Sequence, residues 1–135
     1  MPELRLENVG YRYKSGERDA LQGVSCAFRD GAVSAVMGPS GSGKTTLLSV
    51  MAGLDRPSEG SVYMDRDDLV SLDLDRYRRE RVSMVFQAFQ LFPLLTALEN
   101  VALPMEMNGA RKAEAQARAK ELLLSVGIGE EMHKR

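Results

Sequence analysis

Cysteine is almost missing from this sequence: Cys26 is the single one in 135 residues. That excludes an intramolecular disulfide and a cysteine-rich metal site, and it suits the cytoplasm. An excess of charge is missing too. Eighteen Lys and Arg stand against nineteen Asp and Glu, a formal net charge of -1, so no broad field recruits nucleic acid or an anionic membrane. Partners must be recognised at local sites. Long apolar runs are also lacking. The most apolar stretch, residues 88–107, is broken by Gln90, Pro93, Glu99, Asn100 and Pro104, which argues against a bilayer span. The opening MPELRLENVGYRYKSG carries charges every few residues and no signal-peptide core. The expectation is a chain neither exported nor inserted. No solenoid repeat or low-complexity run is present.

What is present is the composition of an ordinary globular domain, 44% apolar and 27% charged, with length for one core and no evident linker. Residues 4–13 and 20–29 alternate loosely between apolar and polar, which predicts an antiparallel entry. Asp30-Gly31, between Phe28-Arg29 and Ala32-Val33, reads as a two-residue hairpin turn. VSAVM at 33–37 predicts a strand buried on both faces. Residues 46–52 are apolar nearly all round and predict a buried helix stopped by Gly53. Further on, the pattern predicts a strand at 60–65, a charged helix at 74–81 capped by Asp73 or Asp75, and a second buried strand at 82–86, VSMVF. A short helix at 98–105 stopping near Pro104 and a longer one at 111–126 ended by Gly127 complete the order.

Between the first apolar strand and the buried helix lies Gly38-Pro39-Ser40-Gly41-Ser42-Gly43-Lys44-Thr45. It fits the phosphate-loop pattern at every fixed position. Glycines let the backbone curl so that successive N–H groups point at phosphate oxygens. Lys44 can reach the outer phosphates, the Thr45 hydroxyl can be a Mg²⁺ ligand, and the helix that starts here adds its positive end. The bare pattern arises by chance in roughly one such chain in a few hundred. Its position between a strand and a helix makes an accident rarer still.

From the residues alone Tyr13 reads as a half-buried strand aromatic, with Tyr11 beside it, and Thr46 as a helix cap. Gln87 ends an apolar strand, the place where ligands gather in open α/β sheets, or else satisfies a loop backbone. Phe86, Phe89, Leu91, Phe92, Leu94 and Leu95 are core or an interface. Arg76, Arg78, Arg79 and Arg81 interleave with Asp73, Asp75 and Glu80, so they read as a solvated helix face with local ion pairs rather than a nucleic-acid site. His133 reads as an ordinary surface residue, and Cys26 as a small buried hydrophobe.

Four stretches, ENVGYRYKSGERDALQGVS, GPSGSGKTTLLSVMAGLDRPSEG, MVFQAFQLFPLLTALENVALP and ARKAEAQARAKELLLSVGI, appear in an order that resembles the ATP-binding domain of ABC transporters. GLDRP and FPLLTALENVALP are similar to the branch that contains the lipoprotein-release, macrolide-export and cell-division ATPases. The resemblance implies an α/β fold: a P-loop NTPase core with an N-terminal antiparallel β subdomain, here truncated at the C-terminus. Residues 1–135 would be the N-terminal part of that domain. The resemblance implies that Tyr13 stacks on adenine, that Gly38 through Thr46 hold ATP, and that Lys44 and Gln87 serve catalysis, with Thr45 and Gln87 on Mg²⁺. It also implies a transmembrane transporter subunit and a second ATP-binding subunit as partners, no nucleic acid, and a place on the inner face of the cell membrane. The segment after Gln87 would receive a short helix of the membrane subunit.

The family's signature, its Asp-Glu strand and its switch histidine have no counterpart in the 135 residues. Phosphoryl transfer is mainly positioning and charge stabilisation, so these residues alone are expected to bind without turning over. Unpaired apolar edges are expected at 33–37 or 82–86. Two other readings accompany the ATPase one: a non-catalytic module docking through residues 87–95, and an inactive remnant.

Overall fold

Leu6 and Val9 are three residues apart, a spacing that would put them on opposite faces of a regular strand. Both are nonetheless buried in one core, in strand β1 (Glu3–Arg12). The register explains how. Leu6 faces Cys26 and Val9 faces Val24 on β2 (Asp19–Arg29), so β1 carries one extra residue between them, a bulge. Asn8 within it has φ 51. The partner on the other side, β3 (Glu59–Met64), accommodates the bulge with Gly60, whose φ is 76 and where a Cβ would meet the Asn8 carbonyl oxygen at 2.2 Å. Only glycine fits there.

The computed structural model describes residues 3–14 and 19–135. They form two compact units that part between Met84 and Val85. In the first unit the sheet order is β2-β1-β3-β4, antiparallel throughout, with β4 at Asp67–Asp68. Helix α1 (Lys44–Met51) shares its core: Leu47, Val50 and Met51 join Leu6, Val9, Leu21, Val62, Leu69 and Tyr77. The helix was expected to be buried all round, but Leu48 is 44% exposed. One face alone meets the core. Gly53 ends the helix at φ 75, and the Leu54 N–H returns to the Ser49 carbonyl at 3.0 Å.

Helix α2 (Leu74–Glu80) starts at Asp73, whose carboxylate accepts from the Asp75 and Arg76 N–H groups. It closes the end of α1. The buried Tyr77 hydroxyl donates to the Met51 carbonyl at 2.7 Å, and Arg78 donates to the Gly53 carbonyl at 2.6 Å. Carbonyls that a helix end leaves unpaired are thereby satisfied. The arginine cluster behaves as expected: Arg76 pairs with Glu80, Arg78 with Asp75, and Arg81 with both Asp65 and Asp67.

In the second unit, α3 (Ala97–Met107) and α4 (Lys112–Ser125) meet through Ala102, Ala115 and Ala119. Such small side chains let two helices approach closely. Thr96 and Glu99 form a reciprocal capping box at the start of α3. The helix does not stop near Pro104 as expected. It continues to Met107 because Met105 packs on the alanine contact, and proline costs one backbone donor there.

Two sequence expectations are corrected. Residues 33–37 and 82–86 belong to no strand among the described residues. Val33 is 103% exposed, Met37 88% and Val85 95%. Asp30-Gly31 does turn the chain, with Gly31 at φ 74, but no returning strand pairs with β2 on that side. A strand exists only as one half of a ladder, and β1 to β4 satisfy one another. The expected unpaired strand edge is therefore not seen as such: residues 33–37 are exposed without being a strand, and Val82 packs against the first core.

Candidate functional site

The glycine loop enters α1 through Gly43, the N-cap residue, at φ 96 and ψ 9. A Cβ there would strike the Ala20 carbonyl oxygen at 2.6 Å, so glycine is required for both conformation and space. The cap supplies no side-chain oxygen to the first turn, which also holds no acidic residue. Orphan N–H groups at a helix start are normally satisfied by such a side chain or by a bound anion. At Gly38 a Cβ would meet Ser42 Oγ at 2.6 Å, so a side chain would fill the cradle. Lys44 lies across it, its ammonium donating to the carbonyl of Gly38 and reaching that of Pro39 at 3.4 Å. The arrangement fits an anion with several oxygens.

Tyr13 follows the last residue of β1, and its hydroxyl lies 2.6 Å from Thr46 Oγ1 in the first turn of α1. Its ring meets Tyr11 edge-on, with centroids 4.8 Å apart and planes at 80°. Tyr13 is 46% exposed while Thr46 is buried. Sequence reasoning treated these two residues separately; the contact between them joins the end of β1 to the head of α1. Thr45, one position earlier, is exposed. Ser40, Gly41 and Ser42 line the exposed curl of the loop.

Gln87 is exposed in the second unit. The apolar residues after it are exposed as well: Phe89 at 96%, Leu94 at 80% and Leu91 at 65%. Of the two readings left open, core or interface, the described residues favour a surface. Asn100, which sequence reasoning passed over, holds this loop. Its Oδ1 accepts from the Phe92 N–H at 2.9 Å, while Nδ2 donates to the carbonyls of Phe92, Leu95 and Thr96. An asparagine placed one turn inside a helix, after a run of apolar loop residues, was the available signal.

A profile described as ABC transporter matches residues 21–135. The chain belongs to the ABC transporter ATP-binding family. An uncharacterized ATP-binding protein of this family from Bacillus subtilis, YclH, is 38% identical over 130 residues, covering 96% of this chain and 58% of its own. One from Thermotoga maritima is 42% identical over 137 residues, covering 98% and 58%. MJ0796 of Methanocaldococcus jannaschii is 45% identical over 118 residues, covering 82% and 50%. A solved dimeric structure of the MJ0796 cassette, in a post-hydrolysis state with ADP and Pi, superposes with a TM-score of 0.86 at 40% identity, covering 98% of this chain and 60% of that one. The present chain thus spans about half to three fifths of these relatives. The α/β fold of an ABC cassette follows from the same likeness.

Among the described residues no helix is long and apolar enough to cross a membrane. His133 is exposed as expected. Cys26 is half-buried against the first core, and burial pushes its thiol pKa up.

Proposed function

We propose that this chain binds ATP with Mg²⁺ and is the nucleotide-holding part of an ATPase that powers transport through a membrane-embedded ABC subunit. The observation that carries the reading is the head of α1: a glycine-entered first turn with no side-chain cap and Lys44 lying over it. Backbone N–H groups of residues 41–46 would hold phosphate oxygens, and Lys44 would neutralise the outer phosphates. Thr45 would offer its hydroxyl to Mg²⁺, with Gln87 as the further ligand that orients the attacking water. The ion would arrive with the nucleotide. Tyr13 would stack on adenine beside the loop.

The relatives support the rest by analogy. MJ0796 is dimeric and holds ADP and Pi in its solved structure, which suggests ATP between two copies of the cassette here too. In this reading the exposed apolar residues of the loop held by Asn100 would meet a transmembrane subunit, and the chain would work in the cytoplasm on the inner face of the membrane. Nucleic acid is not a partner in this reading. The test is titration of MgATP into wild type and Lys44→Ala. Loss of the ammonium should weaken binding by about a hundredfold or more, two lost charge-assisted bonds' worth. Equal affinity in the two proteins overturns the site.

The exposed Phe89, Leu91 and Leu94 favour one second reading, a docking module that needs no nucleotide. Capture of the membrane subunit equally by wild type and Lys44→Ala, with no effect of ATP, would decide for it.

A further inference from the structure

The hydroxyls of Tyr13 and Thr46 lie 2.6 Å apart, and either could be the donor. Thr46 sits in the first turn of α1 and is 5% exposed, and the helix has no side-chain cap. Its hydroxyl is engaged by Tyr13. A hydroxyl has one proton and two acceptor sites. If Thr46 donates to Tyr13, it has nothing to give a phosphate. If Tyr13 donates to Thr46, the Thr46 proton is free to turn outward.

Two chemical facts select the second polarity once an anion is near. A phenol is the stronger acid and the better donor of the pair, and a phosphate oxygen is a far better acceptor than a phenol oxygen. Each bond in such a chain polarises the next. The Tyr11 ring, edge-on at 4.8 Å, helps hold the Tyr13 ring while its hydroxyl does this.

We propose that the Tyr13 hydroxyl is a positioning group for phosphate: by donating to Thr46 Oγ1 it aims the Thr46 proton at a phosphate oxygen of the bound nucleotide. The inference rests on the nucleotide reading above and deepens it. It gives Tyr13 two roles that different atoms carry, the ring toward the base and the hydroxyl toward phosphate. The base end and the phosphate end of the ligand are then sensed through one side chain.

The experiment is ATP titration with phosphorus NMR of the bound nucleotide, on the full chain and on Tyr13→Phe, Thr46→Val, Thr46→Ser and the Tyr13→Phe/Thr46→Val double variant. Tyr13→Phe keeps the ring, and with it any stacking. It should weaken ATP binding roughly threefold to tenfold, the span of one hydrogen bond, and shift one phosphorus resonance. Thr46→Val should do at least as much, the double variant no more than Thr46→Val alone, and Thr46→Ser should restore binding. Tyr13→Phe matching wild type in affinity and spectrum overturns the proposal while the nucleotide site stands. Additive losses overturn it as well. Wild type that binds no ATP overturns the nucleotide reading, and the proposal falls with it. A purely structural pairing would lower the melting temperature without moving any phosphorus resonance, which also overturns the proposal.

Discussion

Residues 4–9 are less apolar than residues 33–37, three of six against four of five, yet it is the less apolar stretch that is buried. In the first stretch Leu6 and Val9 are 1% and 0% exposed, locked between β2 and β3. In the second Val33 is 103% exposed and unpaired among the described residues. Hydrophobicity marks a segment that gains by burial; it does not supply the neighbour that buries it. Strand β1 has β2 within reach through a short antiparallel connection and gains β3, which follows helix α1 in the chain, whereas residues 33–37 pair with none of the described strands.

The sharpest way to break this contrast is to truncate one residue in each stretch. Leu6→Ala should cost about 3 kcal/mol of unfolding free energy, from lost burial and a residual cavity. Val33→Ala should stay within about 0.5 kcal/mol. Urea unfolding measures both, and equal costs would mean that residues 33–37 are buried in solution. A smaller effect tests the join between the two helices of the first unit. Tyr77→Phe deletes the hydroxyl that holds the Met51 carbonyl and should cost about 1 kcal/mol, the worth of one hydrogen bond.

The smallest effect lies in the second unit. The Glu99 carboxylate accepts from the Thr96 N–H, which holds its pKa below the ordinary value, and the Thr96 hydroxyl adds to this. A lowered folded pKa means that the ionised form is the one the fold favours. Its contribution is present above the ordinary glutamate pKa and is lost as pH falls through the lowered value. Glu99→Gln should flatten the pH dependence of α3 stability in the acid range, read by circular dichroism. An unchanged slope would assign it to other carboxylates.

Much of the site was legible because its chemistry is local. Gly38 through Thr46 are contiguous, and a glycine loop entering a helix needs only its own φ angles and spacing. The caps at Asp73 and Gly53 were legible for the same reason. What escaped was every feature made by residues distant in sequence. Tyr13 and Thr46 bond across 33 positions, and Tyr77 reaches Met51 across 26. Asn100 gathers a loop that reads as either core or surface.

The sequence by itself determined the candidate phosphate loop, because a glycine loop entering a helix is a property of consecutive backbone units. It also determined the family, through several motifs in order. The tertiary structure decided which apolar segments are buried. It alone brought Leu6 and Val9 to one face, by a bulge that needs Gly60 on the neighbouring strand. Pairing and burial are relations between segments, and a segment's own residues state only what it would gain from them.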